Sequence, residues 1–180
     1  MIAFAKLALT GVLCLGHLVG DGPDPLKVKP VKTIAGGDSK VDYPLVRLIS
    51  SQKGWHELWA IHTGQPMVPE SGENTKEDPV KPPEVDFVKN QVLVVFGGHL
   101  PNVKAYEYVK TFAKDETAVI QLSQTFIPPA DEKDMLHPFI FLVIPREPVP
   151  IEVQLDSIAK DGSHFWMTLA SYRAPKAAKG

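Results

Sequence analysis

Histidine is the residue type in this chain that could carry metal or acid–base chemistry, and there are six of them. Two imidazoles with one carboxylate and an open position make a zinc-type hydrolytic centre. His56 and His62 are six residues apart. On a helix that is about 600° of rotation, so they face different ways and cannot chelate one ion together. His99 and His137 each fall at the end of an apolar run, beside Pro101 and Pro138. They could approach one another across a sheet, with Asp86 or Asp134 as the third ligand. No spacing demands that centre. The expectation is that these histidines, and His164 at the start of a strand, occupy turns or surface and hold no metal or other cofactor.

Nucleophilic chemistry is poorly provided for. The one cysteine, Cys14, lies in the N-terminal apolar run. A lipid anchor on it would want a small residue just before it, where Leu13 stands. There is no Gly-x-Ser-x-Gly elbow, no glycine-rich phosphate loop and no His-Glu-x-x-His. Asp131, Glu132 and Asp134 flank Lys133 just after Pro128-Pro129. Paired carboxyls do acid–base work when their environments differ across a cleft; a mixed-charge run after two prolines reads as a solvated turn. No residue is assigned a catalytic role, and the chain is read as not an enzyme.

The elements that would position these residues are mostly strands. Trp55, Leu58, Trp59 and His62 fall at i, i+3, i+4 and i+7 and predict a helix with one apolar face. Ser51 is its N-cap and Gly64 its end. The two tryptophans are read as anchors of that helix on a sheet. Val46–Ser50 precedes the helix as a strand. QVLVVF (91–96) and Phe139–Ile144 are apolar on both faces, which predicts central, doubly covered strands. Tyr106–Phe112 and Ala118–Phe126 flank Lys114-Asp115-Glu116 and predict a hairpin. Tyr106 and Tyr108 share a face with Phe112 beyond them, read as core with Lys110 at a rim, or else as an aromatic patch for a protein partner. Ile151, Val153 and Leu155 alternate with polar residues, and Phe165, Met167 and Leu169 alternate on a return strand after Asp161-Gly162. The sum is an α+β domain, a mainly antiparallel sheet or sandwich of six to seven strands with one early helix.

Composition sets the boundaries. The chain has 180 residues, 19 Lys and Arg against 21 Asp and Glu, and a net charge of −2. That leaves no basic excess to neutralise phosphates, so nucleic-acid binding is not expected. Residues 1–20 hold one lysine, no acid and a charge-free stretch from Leu7 to Gly20. Fourteen residues are too few to span a bilayer, which takes about 20; the segment reads as a secretory signal peptide. Residues 21–44 read as an extended, proline-rich linker. Residues 45–173 then form a single β-rich domain, and 174–180 a frayed tail. Five prolines between Gly64 and Glu84 leave no apolar period there. A loop of about 20 residues is unusual in a compact domain and is read as an insertion, with a binding loop as the alternative.

The order of motifs carries one further reading. A Trp-x-x-x-Trp helix is followed by Val85-Asp86-Phe87, VLVVFGGHLP, and His137-Pro138-Phe139 running into FLVIPR. This resembles the PrcB-type C-terminal domain family, best over 85–145. That family's Gly-Gly-Tyr-like turn is replaced here by Pro101-Asn102-Val103-Lys104-Ala105-Tyr106, with only the tyrosine kept. The resemblance implies a small exported bacterial protein. Its role would be that of an accessory or stabilising partner of an envelope protein or surface protease complex. No catalytic residue carries across. The functional expectation is therefore a non-enzymatic protein–protein interaction domain in the periplasm or at the cell surface. The alternatives are a metal-dependent hydrolase using His99 and His137, and a protease inhibitor presenting loop 64–84.

Overall fold

The computed structural model describes residues 24–65, 81–127 and 135–174. They form two four-stranded sheets and one α-helix. The first sheet has the order β1 (Lys32–Gly36), β6 (Phe139–Pro145), β3 (Asn90–Gly97), β2 (Pro44–Ile49). The second has the order β4 (Val103–Lys114), β5 (Thr117–Phe126), β7 (Ile151–Ile158), β8 (His164–Tyr172). All neighbours are antiparallel except β5 and β7, which run parallel because β6 crosses between them to the other sheet.

The continuous apolar runs explain the layering. In β6, Ile140, Leu142 and Ile144 face the second sheet, with Leu93 and Val95 of β3. They meet Ala118, Ile120, Leu122, Ile151, Val153 and Leu155 from β5 and β7. The other faces of the same two strands, Val92, Val94 and Phe96 with Phe139, Phe141 and Val143, are covered by α1 (Gln52–Thr63). The molecule is thus helix, sheet, sheet, and a strand buried on both sides needs no alternation. The expected antiparallel β-rich architecture with one early helix holds. The count is eight strands rather than six to seven.

The additional strand is β1, which falls inside the stretch read as a linker. Lys32–Gly36 is an edge strand with only Ile34 and Ala35 as apolar residues, so it shows no clear period. Around it Val28 enters the core between the sheets and Val41 the core under the helix, both essentially unexposed. Residues 28–44 therefore belong to the domain. The expected leader, its Cys14, most of loop 64–84, the 131–134 charge run and the tail from 175 onward lie outside the described residues.

The helix forms as its spacing requires. The Ser51 side chain accepts from the Gly54 amide at 3.2 Å, and Gly64 closes the helix in the left-handed region at φ 69°. Trp55 is fully buried, edge-on to Phe141 at 5.3 Å, and its indole donates to the Pro83 carbonyl at 2.9 Å. Trp59 is only half-buried on the same stripe. Arg146 ties the end of β6 down by donating to the carbonyls of Phe87 and Ser50, each at 3.0 Å.

The β4–β5 hairpin turns at Asp115-Glu116, as the charged tip implies. A bulge at Val109 changes its facing. Tyr106, buried, and Tyr108, half-buried, pack against the inter-sheet core. Beyond the bulge Phe112 pairs with Val119 on the opposite, outer face, with the Lys110 ammonium 5.4 Å from its ring centre. The three aromatics do not share a face.

Candidate functional site

The two sheets approach one another on the β1–β4 side. On the other side they are bounded by the edge strands β2 and β8, and there a cleft of about 460 Å³ opens between them. Val46, Leu100, Leu155, Met167 and Leu169 line it, and none of its lining residues is charged. Two polar groups reach it, the Tyr106 hydroxyl and the Gln124 side chain, which hydrogen-bond each other. Burial pushes the Tyr106 hydroxyl above its ordinary range, more than the Gln124 bond lowers it. It stays a neutral donor at physiological pH.

The strand that bounds the cleft is unusual for a sandwich edge. Phe165, Trp166 and Met167 are consecutive and 47, 42 and 42% exposed, and Ile158 across the hairpin is also exposed. Neighbouring residues of a strand take opposite faces. Met167 therefore turns toward the cleft with its partner Leu155, and Trp166 stands on the outer face opposite Asp156. Met167 and Leu169 share the cleft face by alternation, and a bulge at Leu169 brings the next residue, Ala170, into the same wall. The outer face beside Trp166 is a polar ladder. Gln121 donates to Gln154 at 2.8 Å, Gln154 to Glu152 at 2.7 Å, and Thr168 to Glu152 at 3.1 Å.

The sequence reading assigned Phe165, Met167 and Leu169 to one face of a return strand but did not single out Trp166 or the cleft. A signal was present. Three large apolar residues in succession on a strand whose partner alternates strictly cannot all point into one core. The opening itself arises from two edges distant in sequence.

The described histidines fall into three situations. His56 is exposed and hydrogen-bonds Gln52 on the solvent side of α1, away from His62 as the rotation requires. His164 opens β8 and pairs with Asp156 at 3.0 Å on the surface. His99 and His137 do come together, with ring centres 4.2 Å apart and planes inclined by 39°. Asp86 is not near them. It precedes β3 whereas His99 follows it, so roughly 25 Å of extended chain separates the two. Asp134 lies outside the described residues. Among the described residues no group of three or more His, Cys, Asp or Glu is gathered.

Among the described residues His62 is the one buried histidine, 7% exposed. It sits among Trp59, Phe96, Phe139 and Phe141, with its Nδ1 3.0 Å from the Ser39 hydroxyl. Burial lowers its pKa from 6.5, and the nearby Asp38 charge offsets part of that. The unfolded chain therefore takes up this proton first as pH falls. The stabilisation is complete above 6.5 and is lost as pH drops from there toward the folded value. Wild type should lose unfolding free energy between about pH 7 and pH 5. His62→Phe, which keeps an aromatic ring in the box, should show a shallower loss. Equal slopes in denaturant melts across that range would remove His62 as the source.

Among the described residues no helix is long and apolar enough to cross a membrane. Set against models of protein families, against curated proteins and against solved structures, the chain matches none of them.

Proposed function

We propose that this chain is a non-enzymatic interaction domain, exported from a bacterial cell, that serves as an accessory or stabilising partner of another envelope protein. The observation that carries the reading is the edge of β8, with Phe165, Trp166 and Met167 exposed on both of its faces. An edge strand presents a row of unpaired N–H and C=O groups, and domains that remain alone blunt such edges with charge, proline or bulges. The β8 residues 165–167 carry none of the first two, and the bulge lies beyond them at Leu169. An extended segment of a partner, hydrogen-bonded along β8, would cover both faces at once. Its alternate side chains would enter the uncharged cleft, and the Tyr106 hydroxyl would meet a backbone carbonyl. The resemblance over residues 85–145 supports the same reading.

The test is site-specific cross-linking in the cells that make the protein. A photoreactive residue at position 166 is expected to give one discrete adduct. The same probe at Lys53, exposed on the helix, should give none. Phe165→Asp with Met167→Asp should abolish an adduct captured from Thr168 while leaving the thermal melt in place. A chain that stays uncross-linked from positions 166 and 168 would overturn the reading.

A further inference from the structure

The pair His99–His137 is set by backbone rather than by chance contact of two surface side chains. Beyond β3 and β6 the two segments continue to pair. The Gly97 amide donates to the Pro138 carbonyl at 2.8 Å, and Leu100 bridges Leu136 with its amide on the Leu136 carbonyl at 3.1 Å. Between those two points the first segment has one more residue than the second. Gly98 absorbs it as a bulge, at φ 69°. There a Cβ would strike the Tyr43 and Pro44 backbone at 2.9 Å. The register after the bulge puts His99 directly opposite His137. His137 is held again from its other side, where its amide donates to Gly37 at 2.9 Å and its carbonyl accepts from Ser39 at 3.3 Å. Directly opposed residues on antiparallel strands carry their side chains on the same face, with Cβ atoms about 4.5–5.5 Å apart.

Two imidazoles in that position would ordinarily hydrogen-bond water or neighbours. Here His137 Nδ1 is buried and has no hydrogen-bond partner. Among the described residues neither ring makes a hydrogen bond or an ion pair, and each has the other as its aromatic neighbour. A buried ring nitrogen left without a partner is costly, and imidazole is the commonest side-chain metal ligand. A metal–nitrogen bond of about 2.0–2.1 Å sets each ring centre roughly 3.2 Å from the ion. Two rings on one ion then have centres about 4.5–5.2 Å apart. That geometry is reached from the observed 4.2 Å by parting the rings by about 1 Å or less.

We propose that His99 and His137 form a two-imidazole site for a divalent transition-metal ion, with water completing the coordination. Nitrogen ligands without a thiolate favour copper(II), nickel(II) and zinc(II) over magnesium or calcium, with copper(II) held tightest. The site lies at the end of β3 opposite Asp86, and it stands or falls independently of the β8 edge.

Titration calorimetry of the untagged full chain with copper(II), nickel(II) and zinc(II) tests it. One ion per chain is expected, tightest for copper(II). The electron paramagnetic resonance spectrum of the copper form should show coupling to two imidazole nitrogens. His99→Phe and His137→Phe keep a flat ring and should each weaken binding on the order of tenfold or more. His56→Ala and His164→Ala should leave it unchanged. Absence of any binding tighter than millimolar overturns the proposal. So does binding that survives both phenylalanine substitutions, because the ion would then sit elsewhere. A His137→Phe chain that is unfolded by circular dichroism shifts the test to His99→Phe, whose site precedes the fixed segment.

Discussion

Trp55→Ala is expected to destabilise the domain by about 3–5 kcal/mol, the range for removing a fully buried large aromatic. The indole has no exposed surface, lies edge-on to Phe141 at 5.3 Å, and touches Trp59 at the same ring-centre distance. It also holds the chain entering β3, through its bond to the Pro83 carbonyl. Alanine leaves a cavity between helix and sheet that β3 and β6 cannot close, because each is packed on its other face as well. It also leaves that carbonyl without its donor. Trp59→Ala should cost clearly less, since Trp59 is half-buried and its Nε1 makes no hydrogen bond among the described residues. Urea unfolding of the two variants checks this. A Trp59 loss as large as that of Trp55 would mean that the stripe, rather than the depth of each ring, sets the energy. Phe141 touches both tryptophans, so Phe141→Ala combined with Trp55→Ala should fall short of additivity.

Gly37→Val is the second large effect, and it acts through space. A Cβ on Gly37 would stand 2.5 Å from the Lys104 carbonyl oxygen. That obstacle is backbone at the start of β4, in the second sheet. It cannot rotate away as a side-chain tip can. Gly37 also accepts the His137 amide with its carbonyl, so withdrawal of Gly37 would strip His137 of that bond. Overpacking in a fitted core costs roughly 1–3 kcal/mol, and this site belongs at the top of that range or above it. The variant should melt at lower temperature with reduced protection of the His137 amide in hydrogen exchange. An unchanged melt would show that β4 yields at its first residues. Gly36→Ala is the contrast. The atoms its Cβ would meet are the Phe139 ring at 2.9 Å and the Asp38 carboxylate at 3.1 Å, side-chain groups that can shift.

What the sequence disclosed, and what it withheld, follows from the range over which each signal acts. The helix at Trp55–His62, its serine cap, the doubly buried β3 and β6, and both hairpins were legible because a period of 3.6 or an unbroken apolar run is a local property. β1 was not, because Lys32–Gly36 is an edge strand whose pairing with β6 is fixed from more than a hundred residues away. The facing of Phe112 was lost for a different reason. One extra residue at Val109 reverses the alternation of everything after it, and no glycine stands there to mark the bulge. For the candidate sites, the apolar residues of the β2–β8 cleft were each readable as core. Their failure to close over one another is a property of two strand edges, visible only once both sheets exist. His99 and His137 were recognised as residues able to meet. Their opposition depends on the glycine bulge at position 98, and the carboxylate placed with them, Asp86, sits at the wrong end of its strand.

The strand order of the first sheet has a consequence for the chain as it emerges from the ribosome. β1 pairs with β6 alone, Lys32 with Val143, and β3 uses that same strand for its inner edge. A nascent polypeptide that has not yet reached residue 145 can form the β2–β3 pair and the β4–β5 hairpin, but its first strand has no strand to pair with. Closure must wait until residue 145 has been made, and contacts so far apart in sequence assemble slowly. Until then the flank of β3 that β6 will occupy stays bare and sticky. A molecule arrested at that stage is a substrate for chaperones.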